Sequence, residues 1–304
     1  DDTETPQKEF TLNNENIPVY VFYGVDRYNE KTRKLRRRYT GAAGKLDAWR
    51  DSAFGGVINF RLFFEWFRGR QEYENSIRVE TPNAEDPQLH AVKKAILNAL
   101  GDGFSEIRVK VTEEDAELIV IKKELAFYQL SEGEKSVIAL VGDLSRRLAI
   151  ANPKRENPLE GDGIVLIDEI DLHLHPKWQE KIFPALQNTF PNIQFIVSTH
   201  APKVLESVDE NIQVIRLHED AETHLVLAEP MEPMNGWDVN TILEDYMDTE
   251  VYNRKTTELL EQINVYLNEK AYDEAEKLVN KLAWMTSEEN TKVVRARILI
   301  AKGR

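Results

Sequence analysis

The stretch that most constrains the fold is Ile164-Val165-Leu166-Ile167-Asp168-Glu169. Four apolar residues in a row, three of them β-branched, predict a strand buried on both faces. The two carboxylates after them then stand at its C-terminal edge, where open α/β sheets bind ligands. The pattern recurs nearby. Ile17–Tyr23 is a second apolar strand, and Ile193–Val197 a third that ends in Ser198-Thr199-His200. A helix from Lys177 to Thr189, with Trp178, Ile182, Ala185 and Leu186 inward, runs between the last two and is broken by Pro191. A short helix over Val204–Val208 and a strand over Ile212–Leu217 follow. Strands alternating with helices predict an α/β fold, its mainly parallel sheet covered by helices on both sides.

The remaining elements read from periodicity and caps. Phe60–Glu74 predicts an amphipathic helix with Phe63, Phe64, Trp66 and Phe67 in the core. Pro87–Leu100 predicts another, closed by Gly101. Two strands, Ile107–Val111 and Leu118–Lys122, flank an acidic turn. Ser131 sits as an N-cap with Glu134 at the capping-box position. The helix they open carries Val137, Leu140, Val141, Leu144 and Leu148 on one face. Asn152–Gly163 is a loop. Beyond residue 230 the chain turns helical over Thr256–Asn268, Tyr272–Trp284 and Glu288–Ala301, the last with a capping box from Thr286 and Glu289. The expected division is residues 1–126, 127–228 and 229–304, the last a helical appendage for dimer or partner contact or a cap on the sheet.

The formal charge of −14 rules out a generally basic nucleic-acid coat but not a local patch. Lys31, Arg33, Lys34, Arg36, Arg37 and Arg38 form such a patch. It is either a solvated loop on an acidic body or an arm that contacts the phosphates of DNA or RNA. With no cysteine, a disulfide scaffold, a thiol nucleophile and a cysteine zinc site are excluded. That fits a reducing cytoplasm. No apolar run is long enough for a membrane helix.

Two carboxylates at a strand edge suit nucleotide hydrolysis. One carboxylate can hold Mg²⁺ through water, and the next can orient the attacking water. The alternative is a strand that happens to end in a polar loop. At Leu130–Ser136, either the helix is simply capped, or its N–H groups, the Ser131 hydroxyl and side-chain-free Gly133 face an anion. His200 is either structural or a hydrogen-bond donor to a terminal phosphate. His173 and His175 form an H-x-H pair with no further ligand cluster in view.

Leu-Ser-Glu-Gly-Glu at 130–134, Ile-Val-Leu-Ile-Asp-Glu at 164–169 and Ser-Thr-His at 198–200 resemble, in order and spacing, the later half of an ABC-type ATPase of the SMC/RecF-like branch. DEIDLHLHP and STHAP are similar to the prokaryotic AAA-family ATPases that include the PtuA proteins and the OLD nucleases. The resemblance implies that two heads close over two ATP molecules. Asp168 would assist Mg²⁺ binding, Glu169 would polarise water and His200 would contact the γ-phosphate. Ser131, Gly133 and Glu134 would belong to the signature reaching the partner's nucleotide, and Asp171 to His175 to the loop that crosses to the partner. Glu132 and Glu134 depart from the usual LSGGQ signature. His175 stands where SMC-type heads carry aspartate, which agrees with the OLD-like branch.

A phosphate cradle of the form GxxxxGK[ST] does not occur in the sequence. Gly44-Lys45 is the only Gly-Lys, its preceding glycine is too near, and Leu46 replaces the Mg²⁺-binding hydroxyl. Either an N-terminal lobe with the cradle lies outside this sequence, which the Asp1 start favours, or the protein holds a half-site. Tight ATP binding by these residues alone is not expected. The resemblance implies an ATPase head in anti-phage defence, dimeric or higher, that controls an HNH-type nuclease partner. The alternatives are a nucleotide-gated scaffold and an OLD-like nuclease.

Overall fold

The computed structural model describes residues 16–27, 44–52, 57–101, 103–111, 116–121, 125–220, 222–231, 236–247, 249 and 252–303. The chain divides into two compact units, Asp1–Gly236 and Trp237–Arg304. The basic run from Lys31 to Arg38 lies outside the described residues.

The first unit contains β1 (Val19–Tyr23), α1 (Phe60–Glu80), α2 (Pro87–Leu100), β2 (Glu106–Val111), β3 (Ala116–Ile121), β4 (Leu125–Ala126), α3 (Glu132–Ala151), β5 (Gly163–Ile167), α4 (Pro176–Thr189), β6 (Ile193–Val197), α5 (Pro202–Glu206), β7 (Ile215–Glu219) and β8 (Val226–Pro230). Its central sheet is parallel in the order β1-β5-β6, so Tyr23, Ile167 and Val197 lie side by side at one edge. This is the α/β architecture expected from the apolar strands.

Two expectations about that sheet are corrected. Coverage on both faces is not found among the described residues. Val19, Val21, Tyr23, Val165 and Ile167 are buried, but Tyr20 (51%), Phe22 (37%), Leu166 (41%) and Ile196 (53%) are exposed on the other face. An unbroken apolar run marks a strand that can be covered twice; it does not say that it is. The strand expected at Ile212–Leu217 begins three residues later and leaves the parallel sheet. It pairs antiparallel with β8 as a hairpin, Leu217 opposite Ala228.

Helix α3 crosses the covered side of the unit. It was expected to bury one face, yet every residue from Lys135 to Ala151 is buried. Three of its buried polar residues, Asp143, Arg146 and Arg147, satisfy one another. Asp143 accepts from Tyr23 Oη (3.0 Å), Arg146 Nη2 (2.7 Å) and Arg147 Nε (2.6 Å). Arg147 Nη1 also donates to the carbonyls of Ala48 and Arg50, each at 2.9 Å. Phe63, Phe64, Trp66 and Phe67 of α1 are core residues, as their spacing predicts. The antiparallel sheet β2-β3-β4 has its β2 edge closed by a side chain. The Gln71 amide donates to Val109 O (2.8 Å) and accepts from Val109 N (2.9 Å), as a neighbouring strand would.

The second unit holds α6 (Arg254–Asn268), α7 (Tyr272–Met285) and α8 (Thr291–Gly303) around Leu259, Ile263, Val279, Leu282, Val293 and Ile300. The capping box expected from Thr286 and Glu289 does not form. Thr286 Oγ1 instead donates to Leu282 O (2.8 Å) at the end of α7, and Asn290 Oδ1 accepts from Lys292 N (3.0 Å) as α8 begins. Among the described residues, no helix is long and apolar enough to cross a membrane.

Candidate functional site

Asp168 and Glu169 extend directly from β5, at the carboxyl end of the parallel sheet. Asp168 N donates to Tyr23 O (2.8 Å), which continues the sheet pairing by one residue. Glu169 then turns away with φ +47°, a left-handed conformation uncommon for a residue with a side chain. Its turn is held by the neighbouring strand. Ser198 Oγ donates to Asp168 Oδ1 (2.6 Å) and accepts from Glu169 N (2.8 Å), and Ser198 O accepts from Ile170 N (3.0 Å). Thr199 Oγ1 donates to Asp171 Oδ1 and accepts from Ala201 N (3.0 Å). The Ser-Thr-His segment therefore acts twice before its histidine. Its serine sets the carboxylate pair and its threonine sets Asp171. Sequence reasoning weighed only His200 there, because contacts across about 30 positions leave no local pattern.

His200 is exposed at the end of the same segment, one strand over from the carboxylates. His173 is exposed with φ +64°. His175 caps α4, its Nδ1 accepting from Lys177 N at 3.3 Å. Among the described residues, no group of three or more His, Cys, Asp or Glu side chains could hold a metal ion on its own.

The start of α3 shows the expected capping box. Ser131 Oγ accepts from Glu134 N (3.3 Å), and Glu134 Oε2 accepts from Ser131 N and from Ser131 Oγ, each at 2.9 Å. The Glu134 carboxylate thus occupies the N-terminal end of the helix, the position an anion would take. Glu132 turns aside to Lys135 Nζ (2.9 Å). Gly133 fits against the turn after β5: a Cβ there would lie 3.1 Å from His173 O and 3.7 Å from Leu174 Cδ2. The start of α3 and residues 173–174 lie close together.

The serine bridge makes a stability prediction. Ser198→Ala removes both Oγ hydrogen bonds at a partly solvated site and should cost about 1 kcal/mol, measured by urea denaturation. Ser198→Thr keeps the hydroxyl and should recover most of the loss. Equal losses in both variants would show that the hydroxyl is not what matters.

Residues 61–206 match the family described as "AAA domain, putative AbiEii toxin, Type IV TA system". The chain is 36% identical over 252 residues to "Retron Vc95 probable ATPase" of Vibrio cholerae serotype O1 biovar El Tor, covering 68% of this chain and 49% of that protein. It is 29% identical over 244 residues to "Septu protein PtuA" of Bacillus thuringiensis, covering 75% of this chain and 59% of that one. The chain therefore spans about half the length of these curated relatives. A solved structure described under "ATP-driven dimerization and DNA stimulated activation of SMC ATPases" is 16% identical, with a TM-score of 0.40 over 60% of this chain and 99% of that chain.

Proposed function

We propose that this chain, which is similar to an AAA domain family and to retron and Septu proteins, is the hydrolytic part of an ATPase head acting in anti-phage defence. The observation that carries the proposal is the Ser198 bridge. One hydroxyl binds the Asp168 carboxylate and the Glu169 backbone together at the sheet edge, in reach of the strand that ends in His200.

The donor set suits a Mg²⁺–nucleotide. Mg²⁺ takes one or two carboxylates and draws its other oxygens from water and phosphate, and this site offers a carboxylate rather than a cage. In the proposed role Asp168 would hold Mg²⁺, which neutralises charge on the phosphates. Glu169 accepts a proton from the attacking water, and His200 donates a hydrogen bond to the terminal phosphate. The phosphate cradle has to come from outside these residues, since no GxxxxGK[ST] occurs in them. Two such heads would close over ATP, with Ser131 and Gly133 facing the partner's nucleotide and Asp171 and His175 at the crossing. The output would be control of a nucleic-acid-directed effector, an HNH-type nuclease by resemblance. Lys31 to Arg38 is the candidate contact for its DNA or RNA.

The test is phosphate release from ATP by the full protein with and without Mg²⁺. Release that requires Mg²⁺ is expected; none at all, or release indifferent to Mg²⁺, would sink the proposal.

A nucleotide-gated scaffold with little turnover is favoured by one observation, the closed Ser131–Glu134 box. For the signature to meet a phosphate, the Glu134 carboxylate must leave the helix end it now caps. A head that cannot open this box would bind without firing.

A further inference from the structure

Arg27 lies four residues beyond β1 and is 2% exposed. Its backbone is fixed on both sides: its N donates to Gly24 O (3.1 Å) and its O accepts from Ile58 N (2.6 Å). Its guanidinium reaches the inner side of the carboxylate turn. Nη1 donates to Asp168 O (2.7 Å), and Nη2 donates to Glu169 O (2.9 Å) and Ile170 O (3.3 Å). Three consecutive carbonyls therefore converge on one planar cation.

That convergence is a consequence of the left-handed residue. With Glu169 at φ +47°, the Asp168, Glu169 and Ile170 carbonyls all face the Arg27 guanidinium. Glu169 O also accepts from Leu172 N (2.9 Å), but the donor to the Asp168 and Ile170 carbonyls is Arg27, and buried carbonyls without donors are costly. A guanidinium supplies several N–H groups in one rigid plane, which an ammonium on a flexible stem does not. Burial lowers the Arg27 pKa, and the nearby Asp171, Glu169 and Asp168 charges oppose that shift. None of the three forms a salt bridge with it. Holding a cation there is a poor way to gain stability alone, because its desolvation is not repaid by a paired carboxylate.

We propose that Arg27 is a positioning residue for the hydrolytic turn. It clamps the 168–170 carbonyls from inside while Ser198 holds the same turn from the neighbouring strand, and the two together aim the Glu169 side chain. Arg27 touches no reacting atom in this role. The proposal rests on the hydrolytic function proposed above for Glu169.

Two measurements separate it from that function. The first needs no nucleotide: amide hydrogen exchange of the wild-type protein, Arg27→Lys and Arg27→Gln. Exchange over residues 168–172 should quicken about tenfold or more in both variants, with β5 and β6 amides unchanged. Lysine must fail as glutamine does, since the planar fork rather than the charge is at issue. The second is steady-state ATP turnover in the full protein. Both variants should lose about tenfold or more in kcat with KM within about twofold, since binding is intact and orientation is not. Unchanged exchange over 168–172, or unchanged kcat in a wild-type protein that hydrolyses ATP, would overturn the proposal. If the wild-type protein and Glu169→Gln turn over alike, the hydrolytic assignment fails, and the exchange result still decides whether Arg27 sets the turn. Should glutamine prevent folding, the lysine variant carries both measurements.

Discussion

Replacing Glu169 with glutamine should lower ATP turnover by about 10²-fold or more while nucleotide binding persists. The substitution is close to isosteric, so it tests chemistry rather than shape. The left-handed backbone at this position is held through main-chain groups: Glu169 N to Ser198 Oγ and Glu169 O to Arg27. Glutamine offers the same main-chain groups and tolerates φ +47° no worse than glutamate. What it lacks is a carboxylate that can take a proton from water. A hydrolytic head should then stall with ATP bound and remain in its closed, self-associated form, read by single-turnover phosphate release together with size-exclusion chromatography in ATP. A nucleotide-gated scaffold would show the same turnover in both proteins. Equal rates for wild type and variant would remove Glu169 from the chemistry.

Most of what the sequence makes legible is coded locally, although the equally local Thr286–Glu289 box does not form. The Ser131–Glu134 box, the Gly101 stop of α2 and the apolar β5 all depend on residues a few positions apart, and each forms as expected. The carboxylate pair also falls at the strand edge, because an apolar run followed by acids allows little else. What was missed is coded at a distance. Ser198 and Thr199 meet Asp168 and Asp171 from another strand, and Arg27 meets the same turn from more than 140 positions away. Asp143, Arg146 and Arg147 look like the solvent face of an amphipathic helix until one sees that they pair with each other and with Tyr23. The exposed face of the sheet among the described residues has a related explanation. Tyr20, Phe22, Leu166 and Ile196 are as apolar as their buried neighbours, so composition cannot tell a covered face from a bare one.

The buried cluster on α3 and the candidate site are one mechanical unit. Tyr23 gives its hydroxyl to Asp143 and its carbonyl to Asp168 N. The last residue of β1 thus joins α3 to the carboxylate edge. At the start of α3, a Cβ added to Gly133 would lie 3.1 Å from His173 O.

Asp143→Ala should be the most destabilising single change in the first unit. Asp143 is fully buried and is the shared acceptor for Tyr23, Arg146 and Arg147. Alanine would leave two buried guanidinium groups facing each other without a counter-charge. Breaking a buried pair in this way costs about 3–5 kcal/mol, a large share of the roughly 5–15 kcal/mol that holds a domain folded. The pH dependence gives an independent check. Burial alone would push the Asp143 carboxyl up, but the Arg147 and Arg146 charges outweigh it and hold it at about 2, below the ordinary 3.8. A carboxyl depressed on folding stabilises the folded state fully above its unfolded value. That contribution, on the order of 2 kcal/mol, fades as pH falls from about 4 to about 2. Urea denaturation at pH 7 and at acid pH should therefore show a wide gap between wild type and Asp143→Ala that narrows as pH drops through that window. If alanine does not fold, Asp143→Asn keeps the shape and loses the charge, and its gap should narrow over the same range. A gap that stays constant down to pH 2 would mean that the charge of Asp143 is not what stabilises α3 against the sheet.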